Sequence, residues 1–151
     1  MKYPLQTIQL KKYLLLVFLT LVVSISANAQ TNTIDSLKSV SQKEHKKILL
    51  YFSGSDWCGP CIKFKKNFIE QPEFVEFSTE NLLLLNADFP RKKANQLSKE
   101  AIKENEMLAE KYNPKGLFPY VLLLDEEGNV IKKWESLPKE SLTEFIENLK
   151  D

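Results

Sequence analysis

The chain has 151 residues with 21 basic and 20 acidic side chains, a formal charge of +1. That balance lacks the basic footprint of a nucleic-acid binder, and the length suffices for one domain with a proper core. With two cysteines and one histidine it is also poorly supplied for a closed zinc site, which wants four ligands.

Met1-Lys2 and Lys11-Lys12 precede an uninterrupted apolar or small run from Tyr13 to Ser26, and Ala27-Asn28-Ala29 follows. This layout predicts a secretory signal peptide over residues 1–29, cleaved before Gln30, and hence a periplasmic or equivalent exported location. The alternative is an uncleaved membrane anchor, but the run is shorter than the ~20 residues a spanning helix needs. No cysteine lies near the cleavage site, which excludes a lipid anchor on a cysteine there. Lys2, Lys11 and Lys12 are the three cations of the leader and it holds no acid, so residues 30–151 keep 18 basic and 20 acidic side chains, a formal charge of −2. These residues are expected to form a single domain, with no stable membrane span and no nucleic-acid partner.

From Gln30 to Lys47 the chain is polar, with Ile34, Leu37 and Val40 at helical spacing, which predicts a first amphipathic helix. His45, beside Lys46 and Lys47, reads as a surface residue at its end. Ile48 to Phe52 is a continuous apolar run stopped by Ser53-Gly54-Ser55, the pattern of a buried central strand. A helix then opens at the cysteines, carrying Cys61, Phe64 and Phe68 on one face with Ile62 and Ile69 beside them, until Gln71-Pro72 breaks it. A short helical piece, Pro72 to Thr79, presents Phe74, Val75 and Phe77.

Leu82 to Leu85 reads as a second buried strand, parallel to the first because a helix joins them. Asp88-Phe89-Pro90-Arg91-Lys92-Lys93 leads into a long helix with Leu97, Ala101, Leu108 and Tyr112 along one side, ended by Asn113-Pro114-Lys115-Gly116. Tyr120 to Leu124 and Val130 to Trp134 flank a five-residue loop, an antiparallel hairpin. A last helix, Lys139 to Leu149, is expected to bury Leu142, Phe145, Ile146 and Leu149. The sum is an α/β domain, a four-stranded mixed sheet with helices on both faces.

Both cysteines sit in Asp56-Trp57-Cys58-Gly59-Pro60-Cys61, where the first strand gives way to a helix. A C-x-x-C at a helix start puts both sulfurs on one face, with the first near the positive end of the helix dipole. That setting favours the thiolate, the nucleophile of disulfide exchange. A structural staple is the plain alternative for an exported protein. Yet a loop of about four residues removes only about 2 kcal/mol of unfolded-state entropy, against about 4 to 5 for a long loop, so a staple placed for stability would tie distant segments. Redox chemistry is the better reading, with Cys58 exposed and acidic and Cys61 buried and slow.

The order of elements, the run Trp57-Cys58-Gly59-Pro60-Cys61 after the first strand, and Phe118-Pro119 just before the third resemble the thioredoxin family over about residues 33–149. Phe52-Ser53-Gly54-Ser55-Asp56-Trp57 and the loop from Asp88 to Lys93 are similar to exported bacterial members. The resemblance implies a thioredoxin fold and a thiol-disulfide oxidoreductase that needs no metal or organic cofactor beyond its redox-active cysteine pair. Cys58 would attack and Cys61 resolve, supported by Trp57, Gly59 and Pro60. Pro119 matches the family's cis-proline, where Phe118 would pair with an extended substrate segment and Trp57 would cover the site.

The Gly59-Pro60 pair resembles the reducing members, so a reductase of protein disulfides is expected, acting as a monomer and recharged by a membrane-borne thiol relay. A disulfide oxidase or isomerase, or a non-catalytic binding module using the groove near Pro119, are the alternatives. The pattern departs from the family at Phe52, where a buried aspartate is usual, and at Leu84, where a nearby lysine would fall. Between Gly116 and Pro119 there is one residue more than in thioredoxin itself. Asp56 reads as a solvated loop carboxylate, and Arg91-Lys92-Lys93 as a solvated basic loop rather than a dock for an acidic partner.

Overall fold

Five consecutive apolar side chains with no polar alternation are stable in a strand only if both of its faces are covered. In the computed structural model, which describes residues 33–150, the strand that carries them is central. The signal peptide expected at residues 1–29 lies outside the described residues.

In chain order the elements are α1 (Thr33–Glu44), β1 (Lys47–Ser53), α2 (Gly59–Phe64), α3 (Pro72–Asn81), β2 (Leu82–Asp88), α4 (Lys99–Tyr112), β3 (Tyr120–Leu124), β4 (Val130–Trp134) and α5 (Leu142–Lys150). The sheet order is β2-β1-β3-β4. β1 runs parallel to β2 and antiparallel to β3, and β3 is antiparallel to β4. This is the predicted four-stranded mixed sheet of a thioredoxin-like fold.

Side-chain alternation along β1 divides the core in two. Leu49 and Tyr51 join Phe64, Phe68, Phe74, Val121, Leu123 and Phe145 on the face covered by α2, α3 and α5. Ile48, Leu50 and Phe52 join Ile34, Ala87, Leu108, Tyr112, Leu122 and Leu124 on the face covered by α1 and α4. Phe145 is the hinge of the first half, in ring contact with Phe64, Phe68, Phe74 and Trp134. To bring Phe68 to that cluster, α2 widens into a π-helical turn over Lys65–Ile69, a local rewinding that re-aims a side chain without ending the helix.

The structure departs from the sequence expectations in several places. β2 is an edge strand that extends to Asp88, and Leu84 is 42% exposed, because β1 alone pairs with it among the described residues. Along α1, Val40 is exposed while Ser41 is fully buried, its hydroxyl donating to the carbonyl of Lys46 as the chain turns back at His45, whose φ is 54°. Leu97 precedes α4, which begins only after Ser98 caps it by accepting the N–H of Ala101. α5 starts at Leu142 rather than Lys139, since Ser141 and Glu144 form a reciprocal capping box. Leu142 and Ile146 are then only partly buried, leaving Phe145 and Leu149 as its core residues.

Candidate active site

Ser53 ends β1, and the small residues after it allow a tight return: the N–H groups of Trp57 and Cys58 both donate to the carbonyl of Gly54, at 3.2 and 2.9 Å. That turn delivers Cys58 to the N-cap of α2 in an extended conformation, where its Sγ accepts the N–H of Cys61 at 3.2 Å. Pro60 falls in the first turn, where a missing N–H leaves no hydrogen bond unmade. Cys58 and Cys61 are joined as a disulfide with Cα atoms 5.2 Å apart.

Sequence reasoning expects an exposed Cys58. In the disulfide form Cys58 is 4% exposed and Cys61 3%, with the first sulfur lying against the helix turn where it accepts the N–H of Cys61. Gly59 and Pro60 are the exposed part of the motif.

Trp57 is held on every side. Its Nε1 donates to the carbonyl of Phe89 at 2.7 Å. The guanidinium of Arg91 lies 3.9 Å from the centre of its ring, and the ring of Phe118 meets it edge-on at 5.3 Å. Phe118 in turn packs edge-on against Phe89 at 5.7 Å, so the segments after β1, after β2 and before β3 meet at three aromatic rings. The Phe118–Pro119 peptide is cis, and Pro119 is buried while Phe118 is half-buried.

Two carboxylates lace the first two of those segments in opposite directions. Asp88, at the end of β2, accepts from the hydroxyl of Ser53 and from the N–H and hydroxyl of Ser55, at 2.9, 2.8 and 2.6 Å. Asp56, in the turn after β1, accepts from the N–H groups of Arg91 and Lys92 at 2.9 Å each and from the side-chain amide of Asn95 at 3.0 Å. Asp56 is therefore not a free solvated carboxylate: the Arg91 N–H, with help from Lys92 and Asn95, holds its carboxyl below the usual aspartate range. Nor is the basic loop free, since its main chain is latched to Asp56 and Arg91 is seated on Trp57.

Phe52 is fully buried and stacks on Tyr120 with ring centres 6.2 Å apart. Ala87 is its partner across the ladder, so the position where the family usually has an aspartate is here an apolar joint. The side chain of His45 is 81% exposed and lies 3.2 Å from Glu126.

Two buried amides escaped sequence reasoning. Asn105 on α4 donates to the carbonyl of Asp88 at 2.7 Å. Asn113 both donates to the carbonyl of Leu117 and accepts its N–H, each at 2.9 Å, which fixes the loop that presents Phe118. Its place in Asn113-Pro114-Lys115-Gly116 signals a helix stop and gives no sign of that second role.

The arrangement is a dithiol-disulfide pair at a helix start, roofed by a clamped indole. Comparison with known proteins agrees. The chain is 33% identical over 108 residues to the disulfide bond reductase DsbH of Chlamydia pneumoniae, covering 72% of this chain and 63% of that protein. It is 29% identical over 101 residues to the thiol:disulfide interchange protein DsbD of Haemophilus influenzae, covering 67% of this chain and 15% of that protein. The chain thus spans less than two thirds of the length of these curated relatives. Among solved structures, a DsbH oxidoreductase superposes with a TM-score of 0.69 at 30% identity, covering 82% of this chain and 83% of that one. A poplar thioredoxin h superposes with a TM-score of 0.55 at 21% identity, covering 78% and 87%, a likeness of fold. A thioredoxin-like domain profile matches residues 34–150, nearly all of the described structure, and the chain belongs to the thioredoxin-like family.

Proposed function

We propose that this protein is a thiol-disulfide oxidoreductase that reduces protein disulfides outside the cytosol. The observation that carries the reading is the Cys58–Cys61 disulfide at the N-cap of α2, directly after the clamped Trp57. In the reduced protein the Cys58 thiolate attacks one sulfur of a client disulfide, forming a mixed disulfide and expelling the client's other sulfur as a thiol. Cys61 then attacks Cys58, releases the second client thiol and closes the Cys58–Cys61 bond. Two electrons pass from the dithiol to the client, and no metal or organic cofactor takes part. One chain carries both cysteines, so one copy suffices for the cycle.

Trp57, Gly59 and Pro60 shape the site, and Phe118 with Pro119 offers backbone for an extended client segment. The reducing direction is supported by the likeness to a protein named a disulfide bond reductase and by the Gly59-Pro60 pair. Export is supported by the sequence pattern of residues 1–29. A reductase there needs its dithiol restored by a donor of the membrane thiol-relay class, in keeping with the likeness to a thiol:disulfide interchange protein.

Trapping tests the chemistry. Cys61→Ser should accumulate mixed disulfides with envelope proteins on non-reducing gels, because attack survives and release fails, whereas Cys58→Ser should accumulate none. Absence of adducts with the first variant, or the same adducts with both, overturns the reading. Rapid acid quench and alkylation of cells should find the wild-type pair mostly reduced; a pair that rests oxidised overturns the direction.

A further inference from the structure

Arg91 is the one element of the clasp around Trp57 that brings a full positive charge to it. Its guanidinium carbon sits over the indole, 3.9 Å from the ring centre. That position leaves the rim of N–H donors free, the geometry that recognises a carboxylate in two parallel hydrogen bonds. Among the described residues, no carboxylate lies within 4 Å of this guanidinium and none of its side-chain nitrogens donates to a protein acceptor. The residue is exposed, and its orientation is not left to chance. Its own N–H and that of Lys92 are bonded to Asp56, and the carbonyl of Phe89, two residues earlier, holds the indole. Lys92 and Lys93, also exposed, add like charge on the same loop.

We propose that Arg91 is a specificity-determining residue of the thiol site, selecting clients that carry a carboxylate close to the reacting cysteine. This rests on the redox reading above. Asp56 is then a positioning residue that acts through Arg91: it spends its carboxylate on the loop backbone, so the guanidinium is turned outward and stays unneutralised. A client segment laid beside Trp57 brings its own acid to that vacant fork, and the attraction speeds encounter and holds the cysteine next to Cys58.

The test uses reduced full-length protein and two short peptides, each with one cysteine linked as a disulfide to uncharged thiopyridine and identical except for Glu or Gln beside that cysteine. Cys58 attacks the peptide sulfur and thiopyridone leaves, then Cys61 frees the peptide thiol, so both sulfurs of the probe are reduced as the enzyme is oxidised. In single-turnover mixing, wild-type protein should show a second-order rate constant about two- to fivefold higher for the Glu peptide, the size of an exposed ion pair. That preference should fade as salt rises. Arg91→Gln should bring the ratio to about one, and Arg91→Lys should restore part of it by returning charge without the fork.

A wild-type ratio near one overturns the proposal, as does a preference that survives in Arg91→Gln. Loss of rate on both peptides by the same factor in Arg91→Gln would assign the residue to holding Trp57 alone. Wild-type protein inert towards both peptides, with either side chain, overturns the redox reading itself.

Discussion

The indole of Trp57 occupies the space that a side chain on Gly54 would need: a Cβ at residue 54 would stand 2.3 Å from the ring. That separation is unattainable, and the obstruction is the body of a clamped ring rather than the end of a flexible chain. Gly54→Ala should therefore push the indole off its seat, breaking its bond to the Phe89 carbonyl and its contact with Arg91. Overpacking of this kind costs about 1 to 3 kcal/mol. Urea unfolding should show the loss, and the emission of Trp57 should change while that of Trp134, partly buried and packed against Phe145, stays as a constant background. An unchanged midpoint with unchanged emission would show that the indole has room to spare.

The Asp56 latch makes the roof of the site sensitive to acid. Its carboxyl is held below the ordinary aspartate value of about 4, first by the N–H of Arg91 and then by Lys92 and Asn95. A depressed folded value means that the bonds contribute fully above the unfolded value and are lost as pH falls through the folded one. Trp57 emission should accordingly show a reversible step below pH of about 4, ahead of global unfolding. Asp56→Asn should abolish the step, since its amide does not titrate. A step of equal size in that variant would assign the transition to another carboxylate.

Much of this architecture can be read from the sequence because the signals are local. Five apolar residues from Ile48 to Phe52 demand a central strand, and the pair Cys58 and Cys61 at its exit marks the chemistry. What stays hidden is set by which segments meet. Arg91-Lys92-Lys93 is by composition a solvated loop, and nothing within it announces that Asp56, some 35 residues earlier, has a carboxylate for its backbone. Phe52 illustrates the reverse case, where a departure from the family pattern has a packing explanation visible only in its stacking on Tyr120. Helix limits fail for similar reasons: the box of Ser141 and Glu144 outweighs the apolar periodicity that places the start of α5 three residues earlier.

Asn113 gives the sharpest test of how the loop before β3 is held. It is 3% exposed, and its amide makes the two bonds to Leu117 that a neighbouring strand's backbone would make. Asn113→Asp keeps the acceptor for the Leu117 N–H but turns a second carboxylate oxygen on the Leu117 carbonyl, two acceptors with no proton between them. Losing that bond inside the protein should cost about 1 to 3 kcal/mol at neutral pH. Burial beside a carbonyl raises the new group's pKa above the unfolded value of about 4. The variant's deficit should therefore grow as pH rises from about 4 towards that raised value and shrink below it, where the protonated acid can donate to Leu117 as the amide does. Asn113→Ala loses both bonds and should show no such recovery. Urea midpoints of the three proteins at pH of about 4 and 7 decide the matter: an Asp deficit that is the same at both would show that the new acid does not take over the bond to Leu117, and Asp and Ala variants with no deficit at either would mean that the amide contributes nothing to holding the loop.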